Sequence, residues 1–366
     1  MDWDQILLRK VANVSLSDSH IDKVDTTVVI GKGCDFPMLC NTPFILEISE
    51  EHFSSQSNFL HDCNFLVSYS AIREKPSLVN KNCILELNGD TIDLDLIKKL
   101  SPGAFYIDLR WIYITLMQYD QAHTNIKKRM RLPVCQDQNN EIDLLKLFNM
   151  KHSTGEWVFS LRKLRPDIPF GIRVPANFIE RDVILALTCE ADFIILDCAD
   201  SMMKSTNAVY PLISSLSAIA RVRKILAKLN NHDVTLILEM PGLSISKYLK
   251  MFALGSGLIL LNNEYSELPC MNNKEEQMPA VENDICFPVE NEKLERICQL
   301  KDFALHQLKL NILECGCNHL SDIGKEKLLT TSSAVKEFTE IASVYDADNV
   351  CLPCYNIKKK VKSREI

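Results

Sequence analysis

Charged side chains in this 366-residue sequence gather where short apolar runs end. Phe170-Gly171-Ile172-Arg173-Val174 carries a cation near its end, and Ala191-Asp192-Phe193-Ile194-Ile195-Leu196-Asp197 leads into carboxylates at Asp197 and Asp200. A guanidinium so placed can stabilise negative charge on a bound ligand, or it can be engaged in a structural ion pair with Asp197 or Asp108. Asp108 and Arg110 repeat the pattern after Phe105. His52, beside Glu50 and Glu51 in a polar loop, is the best histidine candidate for acid–base work, set against the plainer reading of a solvated loop residue. The eight histidines form no His-x-x-x-His pair. Cys315-x-Cys317 with His319, and Cys351-x-x-Cys354, have a superficial zinc spacing, but the second has no close pair beyond it, and no metal site is expected.

These residues need a scaffold. The two runs around Arg173 and Asp197 flank an amphipathic segment, the pattern of a β-α-β unit in a parallel sheet. Further runs stand at Pro43–Ile48, Asn64–Tyr69, Cys83–Leu87, Phe105–Leu109, Val234–Glu239 and Leu258–Leu261, making eight strand candidates. Helical patterns fall at 92–100, 141–150, 178–188, 212–229 and 245–254. Alternation of eight strands with helices predicts a TIM-type (β/α)8 barrel, whose chemistry sits at the carboxyl ends of the strands.

The expected organisation is a lead-in segment (1–42), with a short strand and turn at Asp25–Gly31 beneath the barrel, and the barrel itself (43–291). A C-terminal helical extension (292–345) and a basic tail (346–366) follow. Polar stretches at Gln121–Lys151 and Asn262–Asn291 read as insertions. Leu294, Ile297, Leu300, Phe303, Ala304, Leu308 and Ile312 recur at helical steps, and a second helix is expected over 325–343. Lys358, Lys359, Lys360, Lys362 and Arg364 read more simply as a solvated terminus than as a targeting signal.

Composition bounds the function. Forty-one basic against 48 acidic residues give a net charge of −7, which argues against a nucleic-acid binder with a broadly positive surface. Met1-Asp2-Trp3-Asp4 lacks the basic and apolar regions of a secretory signal, and no apolar run reaches the roughly 18 residues of a membrane span, so a cytoplasmic protein is expected. The 14 cysteines read as reduced thiols. Glycine is scarce, 11 residues where average usage would give roughly 25. Few places remain where backbone can approach a ligand.

In order along the chain, these segments resemble the FMN-binding barrel domain of glutamate synthase and its stand-alone archaeal-type relatives. Asp25-Thr26 and Val29-Ile30-Gly31 resemble that family's lead-in, and Ile48, Ser49, Phe53 and Ser57 match its first strand and loop. Ala191, Asp192, Ile194, Asp200, Thr206, Ala208 and Pro211 fit its Ala-Asp-x-Ile-x-Ile-x-Gly-x-Asp-Gly-Gly-Thr-Gly-Ala-x-Pro motif. Gly242, Ala253-Leu254-Gly255 and Cys315-Gly316 continue the match. The resemblance implies FMN held near Ser49, Arg173, Asp200 and Gly242. Arg173 stands where the family has a lysine beside the flavin ring edge that becomes anionic on reduction.

The departures are as informative. Ser201-Met202-Met203-Lys204 replaces the glycine-rich cradle, and Trp111-Ile112-Tyr113-Ile114 stands where a channel loop should be. Glu239-Met240-Pro241-Gly242 replaces a phosphate loop, putting a carboxylate where a dianion should bind and removing an N–H donor. Cys270 and Cys286 are sixteen positions apart, unlike the family's three close cysteines, so no iron–sulfur cluster is expected. Two readings follow. The favoured one is a diverged barrel without cofactor, serving as a binding or regulatory subunit beside an active glutamate synthase-type partner or a copy of itself. The other is an FMN-dependent oxidoreductase forming glutamate from 2-oxoglutarate and ammonia.

Overall fold

Each of the eight apolar runs forms a strand, because a strand covered by helices outside and by filling side chains inside must be apolar on both faces. A computed structural model gives the architecture; it describes residues 3–10, 18–48, 63–73, 76–87, 94–109, 165–176, 178–198, 214–239, 245–261 and 290–345. The chain begins with β1 (Ile6–Leu8), α1 (Asp18–Ile21) and the hairpin β2 (Val28–Ile30) and β3 (Met38–Cys40). The barrel opens with β4 (Phe44–Ile48), β5 (Phe65–Ser68), α2 (Tyr69–Ile72), β6 (Cys83–Glu86), α3 (Leu94–Lys99) and β7 (Ala104–Asp108). It closes with β8 (Phe170–Pro175), α4 (Ile179–Thr188), β9 (Phe193–Asp197), α5 (Ser215–Lys228), β10 (Thr235–Glu239), α6 (Ile245–Ala253) and β11 (Leu258–Leu261). After it come α7 (Glu290–Glu314), β12 (Leu328–Thr330), α8 (Ser333–Thr339) and β13 (Ala342–Ser343).

Strands β4 to β11 make a closed parallel barrel in chain order, with β11 returning to pair with β4. The fold class is therefore the TIM-type (β/α)8 barrel. Alternate residues point inward. Ile45, Leu66, Ile84, Ala104, Tyr106, Phe193, Ile195, Ile237, Leu258 and Leu260 form one buried cluster with Ile30, Met38 and Cys40 of the hairpin. The β2–β3 hairpin thus plugs the amino-terminal end of the barrel. The intervening residues, such as Leu46, Val67, Leu85 and Ile172, join the outer core with the helices.

One glycine is dictated by this filling. A Cβ on Gly171 would stand 2.2 Å from the ring of Phe193 on the adjacent strand, so the missing side chain makes room for the aromatic ring inside the barrel.

The amino terminus is strapped to the outer layer. Trp3 donates its indole N–H to Ser215 at 3.0 Å, Lys250 Nζ donates to the Trp3 carbonyl at 3.0 Å, and β1 pairs antiparallel with β12. That pairing corrects the expected helix over 325–343. Leu328–Thr330 is a strand because Ile6–Leu8 offers it an edge, and the helix starts only after Ser332, whose hydroxyl accepts from Val335 N–H at 3.4 Å. It ends at Glu340, in the left-handed conformation with φ 64°. The expected helix at 141–150, both polar insertions and the basic tail lie outside the described residues.

Candidate functional site at the barrel mouth

Two positions beyond the inner apolar layer, towards the carboxyl ends of the strands, the inward residues become charged. Ile45 is followed by Glu47, Ile84 by Glu86, Tyr106 by Asp108, Gly171 by Arg173, Ile195 by Asp197 and Ile237 by Glu239. Strand register completes the ring, setting Asp108 beside Arg173 and Asp197 beside Glu239. Five carboxylates therefore share the mouth with one guanidinium among the described residues.

Arg173 is 4% exposed and three carboxylates surround its guanidinium. Nη2 donates in a short contact to Glu239 Oε2, Nη1 lies 3.5 Å from Glu47 Oε1, and Nε lies 3.9 Å from Asp108 Oδ2 without a hydrogen bond. The contacts join strands that are not neighbours, β8 with β10 and with β4. Burial alone would lower the Arg173 pKa, but Glu239, then Tyr106, Glu47 and Asp108, more than offset it and hold it well above its ordinary value. It stays a cation.

Tyr106 lies just below the ring, fully buried, with no hydrogen-bond partner for its hydroxyl. Burial first, and the Glu86 carboxylate second, push its pKa well above the usual phenol, with Arg173 opposing. It remains a neutral phenol. Glu47, with its side chain 27% exposed, is where the cluster meets solvent.

The sequence-derived candidates divide accordingly. Arg173 and Asp108 are brought together, and the principal ion-pair partner of Arg173 is Glu239 rather than Asp197. Ser49, His52, Asp200 and Gly242 lie outside the described residues. Asp192 stands at the opposite end of the barrel, where it accepts from the Phe170 N–H at 2.8 Å, a structural role. Glu47, Glu86 and Tyr106 were not singled out by sequence. The signal that finds them is the two-residue step beyond each inward apolar residue, readable only once the inward face of each strand is known.

Cys315 and Cys317 are buried, and the Cys317 thiol donates to the carbonyls of Cys315 and Asp322 at 3.7 and 3.8 Å. His319 lies 3.5 Å from Asp25, towards solvent. Among the described residues no group of three or more His, Cys, Asp or Glu could hold a metal ion, and no helix is long and apolar enough to cross a membrane.

Among the described residues the mouth offers FMN one cation, Arg173, and the loops that follow β10 and β11 lie outside those residues. That cofactor brings a phosphate dianion and, when reduced, an anionic ring, and a barrel that holds it needs free cations or open backbone N–H groups. Here the guanidinium is already surrounded by Glu239, Glu47 and Asp108, and Glu239 is 1% exposed at the end of β10.

No family model matches the sequence, and neither does any curated protein. Solved structures do match in fold. A flavocytochrome b2 with benzoylformate aligns at TM-score 0.56 and 12% identity over 92% of this chain and 78% of its own. An active chimera of (S)-mandelate dehydrogenase aligns at 0.54 and 11%, over 89% and 88%. The flavin-binding domain of baker's yeast flavocytochrome b2 aligns at 0.51 and 12%, over 89% and 76%. At such identities the likeness establishes the barrel fold alone.

Proposed function

We propose that this chain is a diverged barrel of the flavin-enzyme type that does not hold FMN and acts as a binding or regulatory subunit. The observation that carries this is the engagement of Arg173, the one cation of the described mouth, by Glu239, Glu47 and Asp108. The residue that resembles the flavin-supporting lysine of glutamate synthase is neutralised within the protein, so the one cation of the described mouth is already committed before a phosphate or a 2-oxo acid arrives. The subunit it serves is either an active barrel of the glutamate synthase type or a second copy of itself, and co-elution with the former or the mass in solution decides between them.

The other reading, an FMN-dependent oxidoreductase, draws on the structures it matches, which are flavin enzymes; one holds benzoylformate and another has pyruvate bound. Those ligands are carboxylates, and this mouth opposes carboxylates. The test is to express the chain in a flavin-replete host, record the visible spectrum of the purified protein, and titrate FMN by calorimetry. A colourless protein with no FMN heat is expected. Stoichiometric flavin, or turnover of 2-oxoglutarate and ammonia, would restore the enzyme.

A further inference from the structure

Away from the mouth, Cys63, just ahead of β5, meets α7 at a site the barrel chemistry does not use. Lys301 Nζ donates to Cys63 Sγ at 3.0 Å, and Cys298 stands one turn earlier on the same helix, which sets its thiol on the side of α7 that meets Cys63. Cys63 is 5% exposed and Lys301 6%, whereas Cys298 is half-buried, so the group touches solvent through Cys298. Asp302, 3.3 Å from Lys301, is the other charge nearby.

Two other buried thiols, Cys40 and Cys315, behave oppositely. Burial pushes Cys40 up to about 12 and Cys315 up to about 11, with no cation bonded to either sulfur. Cys63 is instead drawn down to about 6, first by the hydrogen bond from Cys298 and then, against burial, by Lys301. The bond to Cys63 and burial raise Cys298. The ammonium 3.0 Å from Cys63 Sγ favours its thiolate, and Cys298, one turn from that ammonium on α7, is the neighbouring thiol.

We propose that Cys63 and Cys298 are an oxidisable dithiol for hydrogen peroxide, activated by Lys301, whose disulfide ties α7 to the barrel wall. The Cys63 thiolate attacks one peroxide oxygen, the O–O bond breaks, and hydroxide leaves with Cys63 as a sulfenic acid. Cys298 then attacks that sulfur, the S–S bond forms, and the hydroxyl departs as water with the Cys298 proton. Two thiols and one peroxide give one disulfide and two waters, two electrons passing from sulfur to oxygen. Lys301 holds the attacking sulfur ionised and forms no bond in either step. The proposal is independent of whether the barrel holds a flavin.

The experiment exposes the full-length, reduced protein to hydrogen peroxide and locates disulfides by peptide mass spectrometry after blocking free thiols. A Cys63–Cys298 cross-link is expected, reversed by dithiothreitol. In Cys298→Ser the reaction should stop at a Cys63 sulfenic acid that dimedone traps. The wild-type rate should be half-maximal near pH 6, and Lys301→Met should move that midpoint towards the ordinary ~8.5 and slow neutral-pH oxidation about tenfold. Circular dichroism checks that each variant is folded, and the wild-type map stands without them. Cys63 and Cys298 left as free thiols while other cysteines oxidise would overturn the proposal. So would a Lys301–Cys63 cross-link carrying an added oxygen, or a pH midpoint unmoved in folded Lys301→Met.

Discussion

Replacing Arg173 with methionine tests the electrostatic account of the mouth. Methionine approximates the aliphatic stem and removes the charge, so Glu239, buried at 1% exposure, loses its ion pair with Arg173. Removing one partner of a buried ion pair costs about 3–5 kcal/mol, because the remaining charge is left desolvated. At roughly 2 °C per kcal/mol for a domain of this size, Arg173→Met should melt about 6–10 °C below wild type near neutral pH. The second arm is pH. A buried carboxylate that loses its cation is harder to ionise in the folded state, so the folded state then binds more protons than the unfolded one and stability falls as pH rises. The deficit against wild type should therefore shrink on going from about pH 7.5 to about pH 5.5. Glu239→Gln in the same background should recover much of the loss, since it removes the stranded charge, and the double-mutant cycle should be non-additive by more than about 1 kcal/mol. An Arg173→Met protein that melts with wild type at neutral pH, or a cycle that adds, would refute the reasoning.

Three further outcomes are expected. Gly171→Ala should destabilise the protein by about 1–3 kcal/mol, because its Cβ would overlap the Phe193 ring, and Phe193→Leu should relieve part of this in urea titrations. Lys250→Met removes the donor to the Trp3 carbonyl and should cost about 1.5–3 kcal/mol, read as earlier proteolytic cleavage near the amino terminus. The Cys63–Cys298 disulfide closes a loop of 235 positions (298 − 63), so the oxidised protein should unfold at a higher temperature than the reduced one, with a gain of at most about 5 kcal/mol.

The barrel was legible in the sequence because each of its strands is a short apolar run, and a fully buried strand has no polar face to confuse the pattern. The site was legible only in part. Arg173 and Asp108 stand out as charges ending apolar runs, but Glu47 and Glu86 look like surface residues until Ile45 and Ile84 are known to face inward. The partner of Arg173 was expected to be Asp197 or Asp108, neighbours by strand order. It is chiefly Glu239, two strands away, because an arginine stem can cross a barrel interior that sequence spacing does not measure. The strand at Leu328–Thr330 was hidden for a related reason: three residues have no period, and their conformation is decided by Ile6–Leu8, more than three hundred positions earlier.

On the proposed reading, the pairing of Arg173 accounts for a barrel that keeps its mouth without an anionic ligand. In a ligand-holding barrel, the inward groups at the strand ends are satisfied jointly by protein and ligand, so deleting the ligand strands them. Here one guanidinium bridges β8 to β10 and β4, and the same charge that would face a flavin instead ties together strands that are not neighbours. A cation so enclosed favours the self-satisfied state over any anionic guest, because admitting the guest means breaking ion pairs at low dielectric as well as adding charge. That selectivity has a sign. A neutral or cationic occupant requires no such break.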